Sequence, residues 1–304
     1  MNDSKIMVVG IGGVGGYLSA MLANYYSHVT LIARNKRYQS LKENGLILHS
    51  ELCGDVKVKP NVLENAKEAG EQDYIFICVK NYSLEAVLAE IKPCVGENTI
   101  IIPVLNGVDH GERCEEKLEK GYIVDSLIYI VSSYNEDYSI TQQGDYAYLY
   151  VGGKHEEKNQ IVCDLLNNAQ IDCALSDDIE KELWNKYILN CAFNILTAYY
   201  NCTNTEIRKS EIRCKEYKDL LQEAYDVGKA KGVALDENLV EKLYRHFIHN
   251  QPKDATSSLQ RDIEAHRQSE LDTFSGYLVR LAEKLNVSIP QTNYFYQELK
   301  RKCV

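Results

Sequence analysis

Lys186, Asn190 and Asn194 follow one another at intervals of four, and Asn201 comes seven residues later. On an α-helix these spacings fall on one face, and its flanks, Trp184, Ile188, Leu189, Phe193 and Leu196, are apolar. Asparagine is a poor helix former and a desolvated amide needs partners. An amine and amides in a row beside a buried stripe therefore read as more than decoration and mark a candidate site. The same row would also serve to tie helices together, and for Asn201, near the end of the pattern, capping is the simpler role.

A second group lies at the start of the chain, where Gly10-Ile11-Gly12-Gly13-Val14-Gly15 directly follows the apolar run Lys5 to Val9 and opens a helical pattern. In a strand, loop and helix of this kind the first glycine permits the tight turn. The second lets the backbone approach a pyrophosphate, and the third allows helix and strand to pack closely. The helix N-terminus supplies donors and positive potential for the phosphates. The next strand ends in Arg34-Asn35-Lys36-Arg37, about 24 residues after Gly10, with no acid from Val29 to Gln39. An NAD site places a carboxylate there for the ribose 2′-hydroxyl, whereas a basic cluster suits a 2′-phosphate. The expectation is NADPH over NADH, with Arg34 as the contact and at least one of Lys36 and Arg37 as a solvated helix start.

Lys80 follows the apolar run Asp73 to Val79, and Asn106-Gly107 follows Thr99 to Leu105. Ligands of an open parallel sheet bind beyond the carboxyl ends of its strands, so both side chains are placed toward the nicotinamide half of a cofactor or serve as turn residues. His110, close by, is a minor candidate for moving protons. His246 and His249 are three apart on a helical pattern without a third ligand, which reads as surface and gives no metal site. Cys191 has no nearby histidine and reads as packing.

These groups need elements to hold them. Short apolar runs at 5–9, 28–33, 73–79 and 99–105 alternate with helical patterns at 15–26 and 84–91, which implies a parallel sheet covered on both faces. After about residue 120 strand follows strand, at 122–132 and 146–151, and these are expected to extend that sheet antiparallel. Near Ser176 and Asp177 a capping signal opens a helix to about Asn201, and the rest reads as helices at 206–231, 237–250, 268–285 and 291–302. The fold class is α/β: a Rossmann-type dinucleotide-binding domain over residues 1–176, then an all-helical substrate-binding and catalytic domain over 177–304. A length of 304 residues suits two domains.

Composition narrows the partners. With 34 Lys and Arg against 44 Asp and Glu the formal charge is −10, which repels polyanions and argues against nucleic acid. No apolar run approaches the roughly 18 residues of a membrane helix, and the glycines of the first apolar stretch break any resemblance to a leader. Ten cysteines without a CxxC pair read as reduced thiols in a cytoplasm. The 22 tyrosines are scattered as packing residues. An apolar face on a C-terminal helix leaves the oligomeric state open, a homodimer included.

Taken together, the glycine loop with Arg34, Val79-Lys80, Asn106-Gly107, Glu182 to Lys186 through Asn190 and Asn194 to Ala198, Asn201 to Asn204, and Ser257-Ser258 through Asp262 to Asp272 resemble the ketopantoate reductase (2-dehydropantoate 2-reductase) family over essentially the full length. The resemblance implies NADPH-dependent reduction of ketopantoate to pantoate, a step of pantothenate and coenzyme A biosynthesis. It implies Lys186 as the general acid that protonates the ketone oxygen. Glu270 matches a carboxylate near the nicotinamide and ribose that also orients Lys186. Asn190, Asn194, Asn204 and Ser258 match substrate contacts, with amides on the primary hydroxyl and Ser258 on the carboxylate. Lys80 and Asn106 match the cofactor side, Asn106 close to both ligands.

Two segments depart from that pattern: Ala255 stands where a substrate-side Asn is expected, and Val124-Asp125-Ser126-Leu127 replaces a stretch rich in glycine and threonine. Neither touches Lys186 or Glu270, so they bear on the substrate more than on the reaction. A reductase of another branched 2-oxo acid is the near alternative. A non-catalytic dinucleotide-binding regulator is the distant one, since both Lys186 and Glu270 are present.

Overall fold

The computed structural model describes residues 3–302. The chain divides into two compact units, the first ending at Ile179 and the second beginning at Glu180. In the first lie strands β1 (Ile6–Val9), β2 (Val29–Ile32), β3 (Leu46–Ser50), β4 (Val56–Val58), β5 (Asn61–Leu63), β6 (Gln72–Ile77), β7 (Val95–Pro103), β8 (Tyr122–Ile123), β9 (Asp125–Tyr134), β10 (Ile140–Gly152) and β11 (Asp172–Leu175). Its helices are α1 (Gly13–Tyr25), α2 (Asn35–Asn44), α3 (Leu84–Ile91), α4 (His110–Lys117) and α5 (Glu156–Asn168).

Among the described residues, six strands in the order β5-β2-β1-β6-β7-β8 form a wholly parallel sheet. The order reverses beside β1, so the glycine loop leaves the sheet at a topological switch point, where ligands of such sheets bind. Strand residues alternate between two cores. Ile6, Val8, Phe76 and Ile102 pack with Leu18 and Leu22 of α1, while Met7, Val9, Ile75, Ile77 and Ile101 pack with Leu84, Leu88 and Ile91 of α3. Each such side chain contributes about 1.5–3 kcal/mol on burial, and two covered faces explain why the runs are apolar throughout.

The later strands differ from expectation. Only β8 joins the parallel sheet, and it does so in parallel. Instead β9 and β10 form an antiparallel pair, and β10 also pairs in parallel with β3 and β11, making a second sheet with β4 at its edge. The reason lies in α1, whose residues Gly15 to Leu22 are buried without interruption. A helix that is apolar all round needs cover on both sides, and the second sheet supplies it. Cβ atoms at Gly13 and Gly16 would strike the Ser132 carbonyl of β9 and the Ile140 side chain of β10.

The second unit holds most of α6 (Ile179–Tyr200), and then α7 (Asn204–Arg208), α8 (Glu211–Lys231), α9 (Leu239–His249), α10 (Ser258–Glu264), α11 (Tyr277–Leu285) and α12 (Pro290–Lys302). The helix expected over 206–231 is two, because the Ser210 hydroxyl accepts from Arg213 N–H and caps a fresh start. The helix expected from 268 begins as a π-helical turn, Asp272–Gly276. Asn201 takes the left-handed conformation, φ +48°, at the end of α6, the position where Asn substitutes for glycine.

Buried Glu223 of α8 fixes α12 by accepting from the N–H groups of Gln291 (2.8 Å) and Thr292 (2.7 Å). Glu223→Ala leaves two helix-end donors without an acceptor and is expected to lower unfolding stability by about 2–3 kcal/mol. Urea unfolding of parent and variant measures this, and a change under about 0.5 kcal/mol would contradict the capping role.

Candidate functional site

The glycine loop shows three different constraints. Gly10 has φ +93°, and a Cβ there would lie 2.7 Å from the Cys78 backbone. At Gly15 a Cβ would collide with the Gly10 carbonyl. At Gly12, which caps α1, it would meet no atom within 4 Å. The missing side chain at Gly12 thus leaves open space at a helix N-terminus whose first turn carries no acid. Open space, main-chain donors and a positive helix end fit a pyrophosphate, so the loop fits a dinucleotide.

Around the end of β2 the charges are not those of the local sequence alone. Arg34 pairs with Glu90 at the end of α3, and the other Glu90 oxygen accepts from Ala66 N–H at 3.2 Å. Asn35, at φ +54°, donates its N–H to Glu64. Residues 29–39 hold no acid, yet the fold brings two to this corner from β5's end and from α3. Lys36 is exposed, but Arg37 is no solvated helix start. It hydrogen-bonds the Tyr138 carbonyl, lies 5.7 and 5.8 Å from the Tyr134 and Tyr138 rings, and has its pKa lowered by burial.

Lys80 and Asn106 are half-buried just past β6 and β7. Asn81, buried, donates to the Asn106 carbonyl (3.2 Å) and accepts from Arg113. Arg113 also reaches Asp109 and Glu85, and burial raises the Asp109 pKa against the pull of that guanidinium. Asn81 was missed by sequence reasoning, although an amide next to Lys80 at a strand end was its available signal. His110 is fully buried at the start of α4. His246 and His249 are exposed, and no cluster of three or more metal-ligating side chains occurs among the described residues.

In the second unit α6 presents half-buried Lys186, whose pKa burial pushes down to about 8 while the charge of Glu270 opposes the fall. Glu270 is itself buried, two residues before the π-helical segment. Tyr187 locks that segment to α6, donating its hydroxyl to the Thr273 carbonyl at 2.7 Å. Sequence reasoning missed Tyr187, since nothing in its spacing reveals a bond 86 residues away. Asn194 is buried and its amide is engaged: Nδ2 donates to the Asn190 carbonyl, and Oδ1 accepts from Ser258 Oγ (3.4 Å) and Leu259 N–H (3.3 Å). Beside it the Thr197 hydroxyl donates to Ser257, which caps α10. Asn190 and Ser258 are half-buried. Asn204 is fully buried and closes the 251–255 loop, donating to the Pro252 carbonyl and accepting from Ala255 N–H.

Residues 6–155 match the family described as Ketopantoate reductase PanE/ApbA, and residues 178–302 match its C-terminal domain, Ketopantoate reductase PanE/ApbA C terminal. The chain belongs to the ketopantoate reductase family. It is an oxidoreductase of that family, and the α/β fold with a parallel-sheet first domain and a helical second domain is the family's. An uncharacterized oxidoreductase, YkpB, of Bacillus subtilis (strain 168) is 29% identical over 97% of this chain and 98% of its own. A 2-dehydropantoate 2-reductase of Streptococcus pyogenes serotype M1 is 25% identical over 94% and 93%. The crystal structure of 2-dehydropantoate 2-reductase from Porphyromonas gingivalis W83 superposes with a TM-score of 0.83 at 29% identity, covering 98% of this chain and 99% of the other.

For this ketopantoate reductase family member the glycine geometry separates folding from binding. Gly12→Ala should leave thermal stability within about 0.5 kcal/mol of the parent, the ordinary range for an uncrowded site, while weakening dinucleotide binding at least tenfold. Gly15→Ala should instead destabilise by about 1–3 kcal/mol, as overpacking does. Thermal unfolding with calorimetric titration of NADP+ tests both, and equal behaviour of the two variants would contradict the division.

Proposed function

We propose that the protein reduces ketopantoate to pantoate with NADPH in the cytoplasm, as a step of pantothenate and coenzyme A biosynthesis. The observation that carries this reading is the Lys186–Glu270 pair: a lysine with its pKa drawn to about 8, beside a buried carboxylate. Gly10, Ile11, Gly12, Gly13, Val14 and Gly15 would hold the pyrophosphate, Arg34 the 2′-phosphate, and Lys80, Asn106 and Glu270 the nicotinamide side. When bound, the reduced nicotinamide supplies a hydride to the carbonyl carbon.

The rest belongs to the chain's own residues. Lys186 Nζ gives a proton to the carbonyl oxygen, which becomes the alcohol. At neutral pH a group titrating near 8 is mostly charged, yet it gives up its proton far more readily than an ordinary lysine. Burial favours the neutral amine left behind, and Glu270 keeps the resting amine protonated. Ser258 takes the substrate carboxylate by turning its one hydroxyl proton to it from Asn194 Oδ1, and Asn190 takes the substrate hydroxyl. Asn194 acts on both by holding Ser258 and the Asn190 carbonyl, and Asn204 keeps the 251–255 loop in place.

A reductase of another branched 2-oxo acid is the second reading, favoured by Ala255 and by the engaged amide of Asn204. The nine described cysteines are free, in keeping with a reducing compartment. A ketopantoate reductase from Staphylococcus aureus with this fold is dimeric (TM-score 0.82, 22% identity), and we extend a homodimer to this chain, to be read by sedimentation.

Lys186→Ala is expected to lower turnover by two orders of magnitude or more, the effect of losing a general acid. A folded variant within threefold of the parent would refute the assignment. Asn190→Ala is expected to reduce kcat/KM for ketopantoate at least tenfold more than for the analogue lacking the hydroxyl, because an amide left unpaired discriminates where a methylene does not. Equal losses on the two substrates would favour the other branched 2-oxo acid.

A further inference from the structure

Cofactor choice in this fold is decided at the end of β2, and there the structure holds an ion pair that the local sequence does not contain. Arg34 is 61% exposed at the rim, while Glu90 is 14% exposed and anchored by Ala66 N–H, so the carboxylate is the fixed partner and the guanidinium the movable one. Glu64 adds a second carboxylate through Asn35 N–H. A 2′-phosphate arriving at Arg34 therefore meets a guanidinium already paired and a negative charge held beside it. A 2′-hydroxyl, which is neutral and can donate a hydrogen bond, meets no such repulsion.

We propose that Glu90 is a specificity-determining residue that competes with the 2′-phosphate for Arg34 and so restrains the preference for NADPH over NADH. This rests on Arg34 being the 2′-phosphate contact. A unit charge a few ångströms from a phosphate dianion in a water-like medium changes binding by about tenfold, which sets the expected scale. Arg34, the exposed partner, gains little stability from the pair, and thermal unfolding of each variant verifies its fold. Glu90→Gln keeps an oxygen for Ala66 N–H and removes only the charge.

The test is calorimetric titration of NADP+ and NAD+ into the full-length parent, Glu90→Gln, Arg34→Ala and the double variant, with steady-state kcat/KM for both reduced cofactors alongside. Glu90→Gln is expected to raise the ratio of NADP+ to NAD+ affinity about tenfold, through tighter NADP+ binding. In the Arg34→Ala background the same substitution should tighten NADP+ binding by less than it does in the parent, because the competition for the guanidinium is gone and only the repulsion between the Glu90 carboxylate and the phosphate remains. A ratio that changes by less than threefold in Glu90→Gln, or falls, overturns the role of Glu90. If Arg34→Ala weakens NADP+ and NAD+ equally, the 2′-phosphate contact is wrong and the proposal falls with it. If Arg34→Ala weakens NADP+ selectively while Glu90→Gln leaves the ratio unchanged, only the competition is refuted.

Discussion

An ammonium group is held where water cannot fully solvate it, and much of the second unit serves that arrangement. Desolvation favours the neutral form of Lys186 and Glu270 favours the charged form, and desolvation is the larger effect, because the pKa lies at about 8 rather than 10.5. That difference corresponds to about 3 kcal/mol between the two protonation states. Such a site persists only where the packing around it is fixed by other contacts. Trp184 and Tyr187 pack edge to face at 5.5 Å on the same helix, and the Tyr187 hydroxyl ties down the segment after Glu270. The π-helical turn at Asp272–Gly276 follows directly, and bidentate Arg280 with Tyr296 hold Asp272 at its start. π-turns occur often at functional sites, where they re-aim side chains that a regular helix would not.

In the first unit the equivalent constraint is close approach. Four glycines of one loop and helix answer to four different neighbours: Gly10 to the Cys78 backbone, Gly13 to β9, Gly15 to the Gly10 carbonyl and Gly16 to β10. Gly12 alone of the five from Gly10 to Gly16 faces open space. A single glycine-rich segment thus closes two sheets around α1 and leaves one gap of a kind that a phosphate can enter.

The parallel-sheet domain was legible because its cues are local. Apolar runs, a glycine loop and the helix Leu84–Ile91 each sit within a short window, and the expected bounds of that helix match the structure. What escaped was set by long-range contact. The pairing of β10 with β3 joins residues more than 90 apart, and no periodicity announces it. The break at Ser210 was readable in principle as a second N-cap, but apolar spacing on both sides concealed it. The placement of Lys186, Asn190 and Asn194 along one helix was legible from their spacing. The division of labour among them was not, since it depends on Ser258 and Leu259 meeting the Asn194 amide from a distant helix. Glu90 shows the same limit, because a search for acids near Arg34 in sequence cannot see one that arrives through tertiary packing.

The proposed proton transfer depends on the protonation of a single amine, and that can be observed without turnover. Nuclear magnetic resonance titration of the full chain carrying isotope-labelled lysine, with the Lys186 signal assigned by its loss in Lys186→Arg, gives the midpoint directly. The predicted midpoint is about 8, with the amine charged below it and neutral above. In Glu270→Gln the midpoint should move lower still, because the one charge opposing desolvation is removed. A midpoint at the ordinary lysine value of 10.5, unchanged in Glu270→Gln, would contradict the claim that burial tunes Lys186 as the proton donor.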